Sequence, residues 1–558
     1  IVTLTLTKLD GTTMQKSVEA PMYGGTVVGL RPEPDTAWDD FFGSTSKTQN
    51  SHLVVQELAT GDWYRGPAGT EESEWWGRER RSAFETGYLA ESWEIPDAET
   101  IIFHIRKGMH WQDIPPMNGR EFTADDVVYN MNRIYLNPKT KMGGRIGIGK
   151  WFVSATATDK YTVLVKGKEE KVGISLAYGT LAEQFNINPP EVIEQYGDMK
   201  DWKHAVGTGP FIVVDSVEGS STTFKRNPNY WQMDPLFPDN RLPYIDNLKM
   251  LVITDVSTQY AALRTGKLDD VWYLSREDSE SLLKSNPELM MYGFLQSDVS
   301  STLWFNTQME PFDDIKVRRA LLMAVDQPTI LRDYLDGQGQ TYTWLPDVPD
   351  YSAVYRPLLA QLPESSKELF EYHPDKAKQL LAEAGYPNGF KFTAVLNPSQ
   401  VDMASIFKSY LDKIGVDMEL DVREYAVYES IIRGDEYQAG FEEATVKNLD
   451  VTGTNYVPGD KSNYPKIDDP VINEIRLQLT SFELMQNQAE INRLTQELVL
   501  HMMGQAYNIS PPTPMVYHMW QPWVKNHFGL ESIGKNNYGR TYPYAWVDQE
   551  LKAEILGR

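Results

Sequence analysis

The chain has 558 residues, 41% hydrophobic and 23% charged. That is the balance of a globular protein of about three to four domains, not of a disordered, collagenous or membrane-spanning chain. Asp and Glu number 78 against 53 Lys and Arg, a net charge of −25, which argues against nucleic acid or an anionic membrane as partner because both need local positive charge. No cysteine is present, which removes disulfides, thiol nucleophiles, iron–sulfur clusters and thiolate zinc sites.

Residues 1–22 alternate polar and apolar without a strong turn signal and read as an N-terminal extension. Any secretion signal or lipid-anchoring cysteine is expected ahead of Ile1. Pro21-Met22-Tyr23-Gly24-Gly25-Thr26-Val27-Val28 opens the first ordered strand. Ile101, Phe103 and Ile105 alternate as in a half-buried strand, closed by Lys107-Gly108. Thr123-Ala124-Asp125-Asp126 is a capping-box-like helix start, with Val127, Met131 and Ile134 as its apolar face. Val317, Leu321 and Ala324 form another such face. Pro374 starts a helix that Gly385 ends. Strands follow at Phe390, Phe392, Ala394 and Leu396, and at Met418, Leu420 and Val422. Asp469-Pro470 starts a further helix; Ile491, Leu494, Leu498 and Met502 line the next, which Gly504 is expected to end. The order helix–strand–helix–strand–helix over 370–440 predicts α/β structure with some parallel pairing. No repeat and no Gly/Ser- or Pro-rich linker divides the chain, so its domains are expected to share segments.

Catalytic and cofactor motifs are missing from the sequence. None of the eight histidines forms an HExxH or comparable pair, so no metal site is expected. Gly144-Arg145-Ile146-Gly147-Ile148-Gly149-Lys150 approaches a phosphate loop, but Trp151 stands where Ser or Thr must hold magnesium, and the segment reads as a glycine-rich surface loop. No catalytic residue and no cofactor is expected. Aromatic residues reach 12% of the chain, compatible with a wet cleft whose rings stack on a ligand.

Five blocks, in order, resemble one family. They are Leu89-Ala90-Glu91-Ser92-Trp93-Glu94 with 101–108, Trp111 and 119–129; Gly207-Thr208-Gly209-Pro210-Phe211 with 227–231; Leu242-Pro243-Tyr244-Ile245-Asp246 with 261–269; Phe305-Asn306 with 311–314, 317–320 and 324–326; and 375–387. This pattern is similar to the extracellular solute-binding proteins of family 5, the peptide and oligopeptide receptors of ABC importers. The resemblance implies an α/β, two-lobed, periplasmic-binding-protein type II-like fold with an extra inserted subdomain (cluster C type) and a hinge. Lobe I would comprise 23–58, 202–285 and 515–558, the inserted subdomain 59–201, and lobe II 286–514.

By the same resemblance the protein is a monomeric, extracytoplasmic receptor, in the periplasm or at the cell surface. It would capture a peptide-like ligand between its lobes and pass it to a membrane permease. The alternatives are an oligosaccharide receptor of the same family and, from another class, a secreted carbohydrate-active enzyme. Family members hold a peptide's amino terminus with an aspartate in a lobe II loop. Here the matching stretch carries Phe441 for the usual Trp and lacks the Asp-Tyr-Pro-Asp sequence, which leaves Glu442, Glu443 or Asp450 to supply the charge. Trp38 and Phe42 after the first strand, Trp304 in the first lobe II strand, and Asn397 after the strand ending at Leu396 complete the expected ligand contacts.

Overall fold

The computed structural model describes the chain except residues 32–34, 36, 40–48, 74, 76–83, 138, 141–142, 144–145, 148, 169–171, 297, 342–361, 446–457, 459–462, 535–538 and 558. The chain divides into two compact units, one of residues 1–293 and 517–558, the other of residues 294–516.

In the first unit, β1 (Val2–Thr7) and β2 (Thr13–Val18) pair antiparallel from Val2↔Val18 to Thr7↔Thr13. The extension is thus a hairpin. Its turn is Asp10-Gly11, with Gly11 at φ 83° and the Asp10 carboxylate accepting Thr12 N–H at 2.8 Å. Such an Asp-Gly pair is itself a turn signal. The hairpin is fixed to the 62–73 segment: Tyr64 Oη accepts Thr7 N–H at 2.9 Å, and Arg65 Nη1 donates to Thr7 O at 2.9 Å.

Next come β3 (Thr26–Arg31), β4 (Ala90–Asp97), β5 (Thr100–Ile105), α1 (Ala124–Tyr135), β6 (Phe152–Asp159) and β7 (Thr162–Gly167). Strands β4–β5–β7–β6, in that order, form an antiparallel sheet. Helix α1 starts where its local chemistry directs. The Asp126 carboxylate accepts Thr123 N–H at 2.9 Å, Asp125 and Asp126 lie in the electropositive first turn, and Val127, Met131 and Ile134 are fully buried. Strands β8 (Phe211–Val217), β9 (Ser221–Arg226) and β10 (Asn247–Val252) join β3 in the order β8–β9–β10–β3, with β10 parallel to β3. Strand β11 (Asp270–Leu274) follows.

The chain enters the second unit within β12 (Met290–Leu295). That unit is built on β13 (Asp298–Phe305), α2 (Ile315–Met323), α3 (Pro374–Glu383), β14 (Lys391–Leu396), α4 (Val401–Asp412), β15 (Asp417–Val422), α5 (Tyr425–Ile432), β16 (Ala439–Thr445), α6 (Pro470–Leu479), α7 (Gln488–Gln505) and β17 (Asn508–Ile509). Strand β18 (Thr513–Trp520) carries the chain back. The five-stranded sheet runs β15–β14–β16–β13–β17; β14 is parallel to both neighbours, while β13 is antiparallel to β16 and β17.

Strand alternation sorts this sheet's side chains onto two faces. Leu303, Phe305, Phe392, Ala394, Leu396, Ala439 and Phe441 share one core with α2, α3 and α4. Trp304 and Val395 share the other with α5, α6 and α7. The helices begin at expected residues: Pro374 is the first of α3, and Asp469 caps α6 by accepting Val471 and Ile472 N–H at 2.8 and 3.3 Å. Helix α7 runs one residue past Gly504 and stops where Ala506 adopts a left-handed φ of 50°.

Candidate ligand-binding site

In the second unit the chain leaves β14, passes through α4 to β15 on one side, then through α5 to β16 on the other. This reversal makes the loops after adjacent parallel strands diverge. The space outside the carboxyl ends at such a point is where open α/β sheets take ligands.

Asn397 is the first residue beyond β14. Its Oδ1 accepts Ser399 N–H at 3.0 Å, and its own N–H donates to Gln400 Oε1 at 3.0 Å. Gln400 Nε2 in turn donates to Phe441 O on β16 at 3.3 Å. Asn397 therefore shapes the turn that links the two strand ends. Helix α5 begins three residues after β15 ends, and Tyr425 and Tyr428 lie on adjacent turns of one face, their rings 6.0 Å apart. Tyr425 is 61% exposed, whereas Tyr428 is buried with its hydroxyl in hydrogen-bond contact with both Phe441 O and Glu442 Oε2. Burial, then the Glu442 carboxylate, pushes the Tyr428 hydroxyl well above its usual pKa, so it stays protonated and donates. Burial, then Glu429 and Glu442, also raises Tyr425. Glu442 is half-buried and stands opposite Thr302 of β13 in register. Its carboxylate accepts from the Tyr428 hydroxyl and acts electrostatically on Tyr425.

The expected residues divide as follows. Glu442, the Phe441 carbonyl and Asn397 come together around Tyr428 and Gln400. The Phe441 ring is fully buried in the opposite core, 6.1 Å from Phe407. Trp304 is 1% exposed and packs with Val395, Tyr428 and Tyr437. Trp38 belongs to the first unit; it is buried, its N–H donates to Met199 O at 2.8 Å, and its ring lies 6.1 Å from Phe224. Its neighbour Asp39 pairs with Arg133 through two contacts of 2.8 Å, which fixes the segment. Glu443 is described only as backbone of β16, and Phe42 and Asp450 lie outside the described residues. Sequence reasoning missed Tyr425 and Tyr428, whose signal is two tyrosines at i and i+3 directly after a strand. Among the described residues no group of His, Asp and Glu is placed to hold a metal ion, and no helix is long and apolar enough to cross a membrane.

The chain is 29% identical over 378 residues to heme-binding protein A of Haemophilus influenzae, covering 63% of this chain and 64% of that protein. To the periplasmic oligopeptide-binding protein OppA of the same organism it is 25% identical over 478 residues, covering 79% and 82%. Among solved structures it is similar to the Helicobacter pylori periplasmic binding protein DppA in complex with the peptide STSA. The TM-score is 0.73 at 20% identity, over 94% of this chain and 99% of that one, which establishes a shared two-lobed mixed α/β fold. Residues 86–464, well over half of the chain, match the profile of the bacterial extracellular solute-binding proteins, family 5 Middle, and the chain belongs to that family.

Proposed function

We propose that this protein is the extracytoplasmic receptor of an ABC importer that captures a peptide-like solute and delivers it to the permease as a monomer, without making or breaking a bond. The observation that carries the reading is the half-buried Glu442 carboxylate, held by Tyr428 at the carboxyl ends of the parallel strands. A buried ammonium needs such a partner, because an unpaired buried charge is very costly. Glu443 and Asp450, from the same stretch of sequence, are the alternatives for this role. Family membership and the peptide or oligopeptide ligands named for its relatives support the choice. An oligosaccharide is the second reading, favoured by the exposed ring of Tyr425, on which a sugar face can stack.

Calorimetric titration separates the two. Peptides of three to four residues with free amino termini should bind and be recovered intact, their N-acetylated forms should bind more weakly, and Glu442→Gln should lose about 2–5 kcal/mol of binding. Binding of neutral oligosaccharides in place of peptides, or wild-type peptide affinity in Glu442→Gln, Glu443→Gln and Asp450→Asn alike, would overturn the peptide assignment.

A further inference from the structure

Four arginines are buried among the described residues, and three of them have evident partners. Arg31 faces Asp35 at 3.6 Å, Arg540 pairs with Glu57, and Arg318 donates to the carbonyls of Phe312, Asp313 and Gln505. The fourth, Arg476 on α6, is 7% exposed and donates no side-chain N–H to a described residue. Its Nε is sealed from solvent without an acceptor.

The position follows from the sequence of α6. Ile472, Ile475, Arg476 and Leu479 recur at helical spacing and form its buried face. The three apolar residues of that face pack in one core with Leu494, Leu498 and Met502 of α7. The same core holds a second donor without an acceptor among the described residues, the indole Nε1–H of Trp304. The acids of the two helices are engaged elsewhere. Glu474 accepts Gln478 Nε2 at 3.3 Å, Asp469 holds His501 and Tyr507, and Glu490 and Glu497 pair with Arg493 at 2.7 and 2.9 Å. Burial lowers the pKa of Arg476, and no described charge opposes the shift. At Arg318, also lowered by burial, Tyr507, Asp314, Asp313 and Asp469 oppose it. A guanidinium remains protonated all the same, so Arg476 carries its charge into an apolar layer. An unpaired buried charge is very costly, and an anion removes that cost.

We propose that Arg476 is the anchor of an oxyanion site in the second unit, its planar fork taking two oxygens of a carboxylate or phosphate group of a small molecule or ion. This site prefers the opposite charge to Glu442, and it stands whether the transported solute is a peptide or a sugar. A bound oxyanion would neutralise the guanidinium and couple the stability of α6 to anion concentration.

The test uses the full-length protein in Tris chloride, with sodium phosphate, sodium acetate or more sodium chloride added at matched ionic strength. Melting temperature and amide exchange along α6 are the readouts. At about fivefold excess over its dissociation constant, the oxyanion should raise the melting temperature of wild type by about 2–4 °C more than that of Arg476→Met. It should also slow exchange along α6 in wild type alone. A gain from phosphate alone identifies a phosphate ligand, a gain from acetate alone an organic carboxylate, and a gain from both a site that reads only the paired oxygens. Arg476→Lys, which keeps the charge without the fork, should show a smaller gain. In chloride alone Arg476→Met should melt no lower than wild type, because it keeps the unbranched stem and removes an unpaired charge. Equal gains in wild type and Arg476→Met would be the general effect of salt and would overturn the proposal. Exchange along α6 of wild type that neither oxyanion changes would overturn it as well, whatever the stability of the variants. A clearly lower melting temperature for Arg476→Met in chloride would mean that the protein itself pairs the guanidinium, which also overturns it.

Discussion

His518 shows how a single buried side chain makes the first unit sensitive to acid. Burial holds its imidazole down to about 4 against an ordinary 6.5; the bond to Gly529 O and the charges of Glu531 and Asp270 oppose the shift, and His527 adds to it. Between these values the unfolded chain takes up a proton that the folded chain refuses, so stability falls as pH falls from about 6.5 to about 4, by on the order of 3 kcal/mol in all. Above that window the contribution is constant. His518→Asn, which keeps a donor for Gly529 O, should lose less stability than wild type between pH 7 and pH 4.5 when melting temperatures are compared. Parallel curves would mean that the imidazole is protonated in place. A second buried charge, Glu57, illustrates what local sequence hides. Burial raises its pKa, but Arg540 and His52 outweigh that and lower it overall. Its ion-pair partner Arg540 is 483 residues away, beyond any motif or periodicity.

Among the elements, the block Gly207-Thr208-Gly209-Pro210 has a steric explanation. Gly209 N–H donates to Val54 O at 2.7 Å, Gln112 N–H donates to Gly207 O at 2.9 Å, and Gln112 Nε2 donates to Phe211 O at 2.7 Å. A Cβ on Gly209 would stand 2.5 Å from Val54 O, and one on Gly207 at 1.9 Å, against backbone that cannot swing aside. Gly209→Ala should therefore destabilise by about 1–3 kcal/mol in urea unfolding. Gly504→Ala makes the contrast: that Cβ would be 4.0 Å from Ser366 Oγ inside α7, where alanine should add about 0.5–1 kcal/mol. The reverse ranking would refute the close-approach account. What the sequence discloses is what local chemistry controls. Thr123, Pro374 and Asp469 begin helices because each satisfies or dispenses with orphan N–H groups within a few residues. The end of α7 falls just beyond Gly504 because the left-handed residue is Ala506. In the candidate site, Asn397 could be placed from the strand before it, and Glu442 through the family pattern. Tyr425 and Tyr428 could not, because their meeting with Glu442 depends on strand order, which no local pattern encodes.

At the scale of the whole molecule, the two units differ in how the chain supplies them. The second is one continuous segment, 294–516, whose central sheet is covered on both faces by its own helices. The first needs residues 517–558, and the reason lies at the start of β11. Asp269 and Asp270 are 1% and 2% exposed. Asp269 accepts Val28 N–H at 2.7 Å and Trp523 Nε1–H at 2.8 Å, with Lys552 Nζ at 3.6 Å. Asp270 accepts Leu30 N–H at 3.2 Å and the Tyr542 hydroxyl at 2.8 Å, with His527 Nε2 at 3.2 Å. Each carboxylate thus ties β3 to the C-terminal segment, and Met519 completes the apolar cluster of Leu30, Leu263, Val271 and Leu282 beside them. Removing residues 517–558 would strip both carboxylates of their side-chain partners and β11 of its pairing with β18, and loss of the partner of a buried charge costs about 3–5 kcal/mol for each. That approaches or exceeds the stability of an ordinary domain. A chain ending at 516 should therefore lose hydrogen-exchange protection across β3, β10 and β11 while β13–β16 keep theirs, and residues 294–516 alone should melt cooperatively. Retained protection in β3 and β11 after the truncation would show that the C-terminal segment only decorates the first unit.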